Sequence, residues 1–123
     1  MSKQKDINFY TRDDGIIVFE FYTMDKSAAD HFAAIIKASA TNVPEKLRVL
    51  YDFQHSPPPT RYFLKIQSEL YNAFPHPDDE KSAYVTGVWN NEVWIRIVRS
   101  YIVPHDVMKV FRSQDDAIVW LLE

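Results

Sequence analysis

The chain predicts an α/β fold, a mixed and mostly parallel sheet of about five strands with an N-terminal hairpin and about four helices. Three observations predict it. Short apolar runs with two-residue alternation are followed, from residue 25 onward, by stretches with apolar residues at helical spacing, and the two kinds take turns. Near the N-terminus, Asp14-Gly15 separates two apolar runs, a strong local hairpin signal. At the other end, Ser113 stands three residues before Asp116 directly after a β-branched and aromatic run, as a capping residue does at a strand-to-helix turn. A hairpin followed by alternating strands and helices implies a sheet that turns parallel after its first pairing.

Taken in order, residues 7–11 and 16–22 read as strands joined by Arg12-Asp13-Asp14-Gly15. Asp25 can cap a helix running to about Ala40, with Phe32, Ile35, Ile36 and Ser39 on one face, ended by Asn42 and Pro44. Residues 47–53 form a strand with Leu47, Val49, Tyr51 and Phe53 on one side and Arg48, Leu50 and Asp52 on the other. Pro57-Pro58-Pro59-Thr60 leads into a second helix carrying Phe63, Ile66, Leu70 and Ala73 or Phe74, stopped by Pro75 and Pro77. Residues 83–88 read as the next strand. Val93, Trp94, Ile97, Val98 and Tyr101 then form a helical stripe over 92–103, although their β-branched content also suits a strand. Val107–Phe111 is the last strand. In the closing helix Ala117, Ile118, Trp120 and Leu121 share a face, with Trp120 expected in the core.

Composition bounds the function. A chain of 123 residues with 46% hydrophobic residues suits one domain, 1–123, able to bury a core without disulfides or metal. There are no cysteines, so thiol catalysis and cysteine-held metal sites are excluded. The net charge of −3, with both signs dispersed, provides no electrostatic footprint for nucleic acid. Two glycines, Gly15 and Gly87, are too few for a phosphate-cradling loop. No apolar stretch reaches the roughly 18 residues of a membrane span. The opening MSKQKD lacks the apolar centre of a secretory signal, so a cytoplasmic location is expected.

The run LRVLYDF in the middle, AYVTG after it and KVFRSQDDAIVWLL at the end resemble the STAS-like domains, and more narrowly the SpoIIAA-like bacterial proteins grouped with anti-sigma-factor antagonists. Many of those end in a VFRS…AI.WL pattern, matched here by Val110-Phe111-Arg112-Ser113 and Ala117-Ile118-Val119-Trp120-Leu121. The resemblance spans nearly the whole chain and implies a STAS-like fold. In the signalling branch of that family a phosphorylatable serine follows the third strand in an Asp-Ser-x-Gly context. Here the corresponding stretch, 52–60, has neither the Asp-Ser pair nor the glycine. Ser56 and Thr60 occupy the region without the motif, so no phosphorylation site carries over.

The 52–60 loop is the candidate ligand or partner site, because ligands of open α/β sheets bind outside the carboxyl ends of parallel strands. Asp52, His55 and Ser56 supply an acid, a base and a nucleophile. Structural roles compete: Asp52 bonded to loop amides, His55 in solvent, Thr60 capping the next helix. The Arg61 and Tyr62 amides with the Arg61 guanidinium offer a place for one anion, although the prolines before them bring no N–H groups. Trp89 is expected at the same sheet end. The histidines are scattered without ligand spacing, so neither a metal nor any other cofactor is expected. A helix apolar over more than one face, with Trp94, Ile95 and Ile102 in or off the stripe, is a candidate self-association surface. The expected function is therefore non-enzymatic, exerted through a protein partner or a homodimer. The alternative is a module for a lipid or anionic metabolite at the 52–60 loop, and a weaker one a small hydrolase or transferase.

Overall fold

The computed structural model of the chain describes residues 6–39, 44–57, 60–86 and 107–123. Five strands form one sheet in their order along the chain: β1 Ile7–Thr11, β2 Ile17–Phe21, β3 Lys46–Asp52, β4 Asp79–Val85 and β5 Met108–Phe111. β1 is antiparallel to β2, and every later pairing is parallel. Helix α1 spans Lys26–Ser39, α2 Arg61–Ala73 and α3 Gln114–Leu121. These three helices lie among the described residues; the fourth, expected over 92–103, falls outside them, as do Trp89, Trp94, Ile95 and Ile102. No helix among the described residues is long and apolar enough to cross a membrane.

The local signals act as their chemistry requires. The hairpin closes through Gly15 N–H to Arg12 O (2.9 Å) and Arg12 N–H to Ile16 O (2.8 Å). Gly15 adopts φ +90°, a conformation that residues with a Cβ rarely take. Asp25 caps α1 by accepting from Ala28 N–H at 2.9 Å, and Thr60 and Ser113 do the same for Phe63 and Asp116. β4 starts earlier than the expected residue 83. Its polar opening residues read as a turn, yet Asp79 pairs with Lys46 and Ser82 with Val49 along β3. Ladder pairing to β3 overrides their low strand propensity.

Strand order and handedness decide where the helices go. Each parallel strand is added on the same side of the last, so right-handed crossovers place α1 and α2 on one face, where they pack together. α3 follows the last strand and covers the opposite face over β3, β4 and β5. β3 accordingly splits as its alternation predicts, with Val49, Tyr51 and then Phe53 toward α1 and α2 and Leu50 in the cluster under α3.

On the α3 face, Ile16, Val18, Leu50, Ala83 and Val85 receive Ala117 and Leu121. Leu121 is fully buried, whereas Trp120, expected in the core, is half-buried against Phe111 with the Lys81 ammonium 4.9 Å from its ring centre. The helix is short, and two basic side chains of the sheet hold its carboxyl end. Arg48 Nε donates to Leu121 O (3.0 Å) and Lys81 Nζ to Trp120 O (3.0 Å). The two are register partners on β3 and β4, so they present adjacent cations to the carbonyl end of the helix dipole. Trp120 lies at the rim and still packs against this cluster.

Candidate functional site

The carboxyl end of the sheet, where the sequence placed its candidate site, is densely packed. Phe21, Phe53 and Phe63 interlock there, with Phe21 stacked on Phe53 (centroids 4.7 Å) and edge-on to Phe63 (5.2 Å). The polar residues of the loop are distributed over different tasks. Asp52, 1% exposed, points to the α3 face, where its carboxylate accepts from Gln54 N–H (2.9 Å), the Gln54 amide (3.2 Å) and the Gln114 amide. Gln114 also donates to Glu20 (2.8 Å), the register partner of Asp52, so these carboxylates tie the first turn of α3 to β2 and β3. Burial first, and then the Glu20 charge, push the Tyr10 and Tyr22 phenols up at this corner.

His55 is exposed, with its ring parallel to that of Tyr22 at 6.1 Å. Ser56 is buried and donates to the Phe53 and Pro57 carbonyls at 3.2 and 3.0 Å. Thr60 caps α2 and donates its own hydroxyl proton to Met24 O (3.2 Å). Arg61 is exposed on the first turn of α2. Among the described residues no hydrogen bond links Asp52, His55 and Ser56; the first faces α3, the second solvent and the third its own loop. Trp89 lies outside the described residues. Among those residues, no group of three or more His, Asp or Glu side chains could hold a metal.

The opposite end of the α1–α2 face is hollow. A cavity of about 360 Å³ lies between the helices and strands β2, β3 and β4, within the size range of small-molecule pockets. Its floor is Ile17, Phe19, Val49, Tyr51 and Tyr84; its walls are Phe32 and Ile36 of α1 and Gln67 and Leu70 of α2. The rim is formed by Phe9, Ser39, Pro44 and the Phe74-Pro75-His76-Pro77 turn. Short side chains, Ser39 and Ser82, fall on the inner face here and leave the space between the surrounding rings unfilled. Pro75 and Pro77 end α2 before it can fold over the opening.

Three polar features mark the wall. Gln67, 4% exposed, donates through its amide nitrogen to Tyr84 Oη (3.1 Å), while its carbonyl oxygen is the buried side-chain atom without a partner among the described residues. Tyr51 stacks on Tyr84 (5.0 Å), and no hydrogen bond among the described residues reaches its hydroxyl. Burial, with a further push from the Glu80 charge, raises the Tyr51 phenol far above its ordinary range. At the rim, His76 lies between Glu80, bonded to Nδ1, and the Tyr71 carbonyl, 2.6 Å from Nε2, and Tyr71 Oη donates to Glu80 at 3.2 Å. This network anchors the proline turn to α2 and β4.

Sequence reasoning missed this cavity. One signal was available: Gln67 interrupts the apolar stripe between Phe63 and Leu70, at the spacing of a core position. Set against known proteins, the chain matches no family model and no curated sequence.

Proposed function

We propose that this chain is a small-molecule-binding module that holds an apolar ligand between α1, α2 and the sheet. The single observation that carries the reading is the 360 Å³ cavity, apolar over most of its lining, with an unpartnered Gln67 carbonyl in its wall. Interiors normally pack to about 0.74 density and satisfy their buried polar groups. A void and an unmet acceptor at one place cost stability, and an occupant removes both costs. A neutral fluorescent probe, N-phenyl-1-naphthylamine, tests this directly. The wild-type protein should enhance its emission saturably, and Ile36→Trp, which fills the cavity from α1, should abolish the effect. Equal enhancement by the two proteins would exclude the cavity as the site.

A second reading keeps the STAS-like resemblance, with the domain acting through a protein partner or a second copy. It draws support from the mixed sheet and from edge strand β1, on which Phe9 and Tyr10 are 40% and 37% exposed. Sedimentation velocity is the test of self-association: a monomer at high micromolar concentration excludes a homodimer.

A further inference from the structure

We infer that the ligand of this cavity is a neutral, flat aromatic molecule carrying one hydroxyl group, recognised jointly by Tyr51 and Gln67. The inference rests on the cavity being a ligand site and goes further by naming what enters it. Three properties of the wall select this class.

Charge is the first. The described lining contains no Lys, Arg, Asp or Glu. Its sole histidine, His76, is already engaged by Glu80 and the Tyr71 carbonyl through its two ring nitrogens. A carboxylate, phosphate or ammonium brought here would lose its hydration without gaining a counter-ion, a cost of several kcal/mol per ion. The occupant is therefore neutral.

Shape is the second. Phe19, Phe32, Tyr51, Phe74 and Tyr84 all line the space. Phe19 stacks on Tyr51 (5.5 Å) and Tyr51 on Tyr84 (5.0 Å), face toward face across β2, β3 and β4, so the floor is a continuous shelf of ring edges. Such a shelf favours a planar aromatic, which gains offset or edge contacts in addition to its buried area.

The polar pair is the third. Tyr51 and Tyr84 are register partners on parallel strands, so their rings project together from the sheet. Gln67 reaches Tyr84 Oη, which brings its amide to the hydroxyl end of this ring pair. The unpartnered Gln67 carbonyl needs a donor, and the Tyr51 hydroxyl can donate to an acceptor. A hydroxyl is the smallest group that meets both needs. It also tolerates a half-turn of the Gln67 amide: Tyr84 Oη can donate as well as accept, and the ligand hydroxyl then accepts from the amide nitrogen instead. A ligand bearing only an acceptor or only a donor lacks this freedom.

The test compares 2-naphthol with 2-methylnaphthalene, which match in shape and differ in the hydroxyl, by NMR titration of the intact chain. 2-Naphthol should bind about tenfold or more tightly, as expected of a site whose polar groups are left unpaired by the analogue. The preference should shrink severalfold in Tyr51→Phe and, independently, in Gln67→Met. 2-Naphthoate should bind more weakly than 2-naphthol. Equal affinity for the two neutral probes overturns the hydroxyl recognition while leaving an apolar binding site. A preference that survives both substitutions also overturns it, and 2-naphthoate binding as tightly as 2-naphthol overturns the neutrality. Binding of neither neutral probe overturns the inference together with the proposed function.

Discussion

Replacing Gln67 by methionine should stabilise this protein, an unusual outcome for a substitution in a core. Gln67 sits on the buried face of α2 with Phe63, Leu64 and Leu70, and is itself 4% exposed. Met has a similar length and volume and nearly the same helix propensity, so the backbone has no reason to move. Two opposing terms remain. The substitution removes the 3.1 Å hydrogen bond to Tyr84 Oη, a loss of about 1 kcal/mol for a neutral pair. It also removes the buried carbonyl without a partner, which relieves about 1–3 kcal/mol of desolvation penalty. With the midpoint of the second range, the net gain is about 1 kcal/mol. For a denaturant slope of about 2 kcal/mol/M, the urea midpoint of the ligand-free protein should rise by about 0.5 M. The slope itself should stay unchanged. A midpoint lower than wild type by a similar amount would refute the reasoning, because it would mean that the Gln67 carbonyl is satisfied in the free protein and that the cavity wall contains no unmet acceptor.

The other predictions concern the packing around the two faces. Leu121→Ala should cost about 2–5 kcal/mol by opening a hole under α3, whereas Trp120→Ala, at the rim, should cost about 1–2 kcal/mol through lost partial burial and its contact with Lys81; a reversed order in chemical denaturation would show that α3 is rolled differently. Thr60→Ala should lower stability by about 1–2 kcal/mol, since it removes the cap of α2, and Thr60→Ser should restore most of it; equal losses in the two variants would assign the effect to the methyl group. Burial raises the Tyr51 and Tyr84 phenols above the ordinary value of 10.0, so the folded protein retains protons that the unfolded chain releases. Stability from this source is complete below pH 10 and declines as pH rises beyond it. Absorbance at 295 nm during alkaline titration should therefore show these tyrosines ionising only with unfolding, and reversible ionisation of all seven tyrosines near pH 10 in the folded state would contradict their burial.

Much of the fold was legible because its signals are local. Asp14-Gly15 closes the hairpin, Asp25, Thr60 and Ser113 cap their helices, and the alternation through Leu47–Phe53 divides the strand between two faces. Each of these depends on residues within a few positions of one another, where spacing alone carries the geometry. Failures came where distant partners decide. The polar start of β4 becomes a strand because β3 lies beside it, and Trp120 sits at the edge of the core, packed against it, on a helix whose end is gripped by Arg48 and Lys81, far away in sequence.

The candidate site was less legible for the same reason. The general rule pointed to the carboxyl ends of the strands, and the residues in that loop had the right chemical types. Their side chains diverge in space: Asp52 anchors α3, Ser56 closes its own turn and His55 faces solvent. By itself the sequence determined the order of elements, the hairpin, the caps and the two-sided character of the strands, since these follow from steric and hydrogen-bonding preferences of neighbouring residues. Tertiary structure alone decided where space would remain. Seven aromatic rings from β2, β3, β4, α1, α2 and the loop after β3 share one face, and Phe21, Phe53 and Phe63 pack solidly at one end while Gln67, Tyr51 and the proline turn surround a void at the other. A cavity is a failure of many side chains to meet, and no local pattern records it.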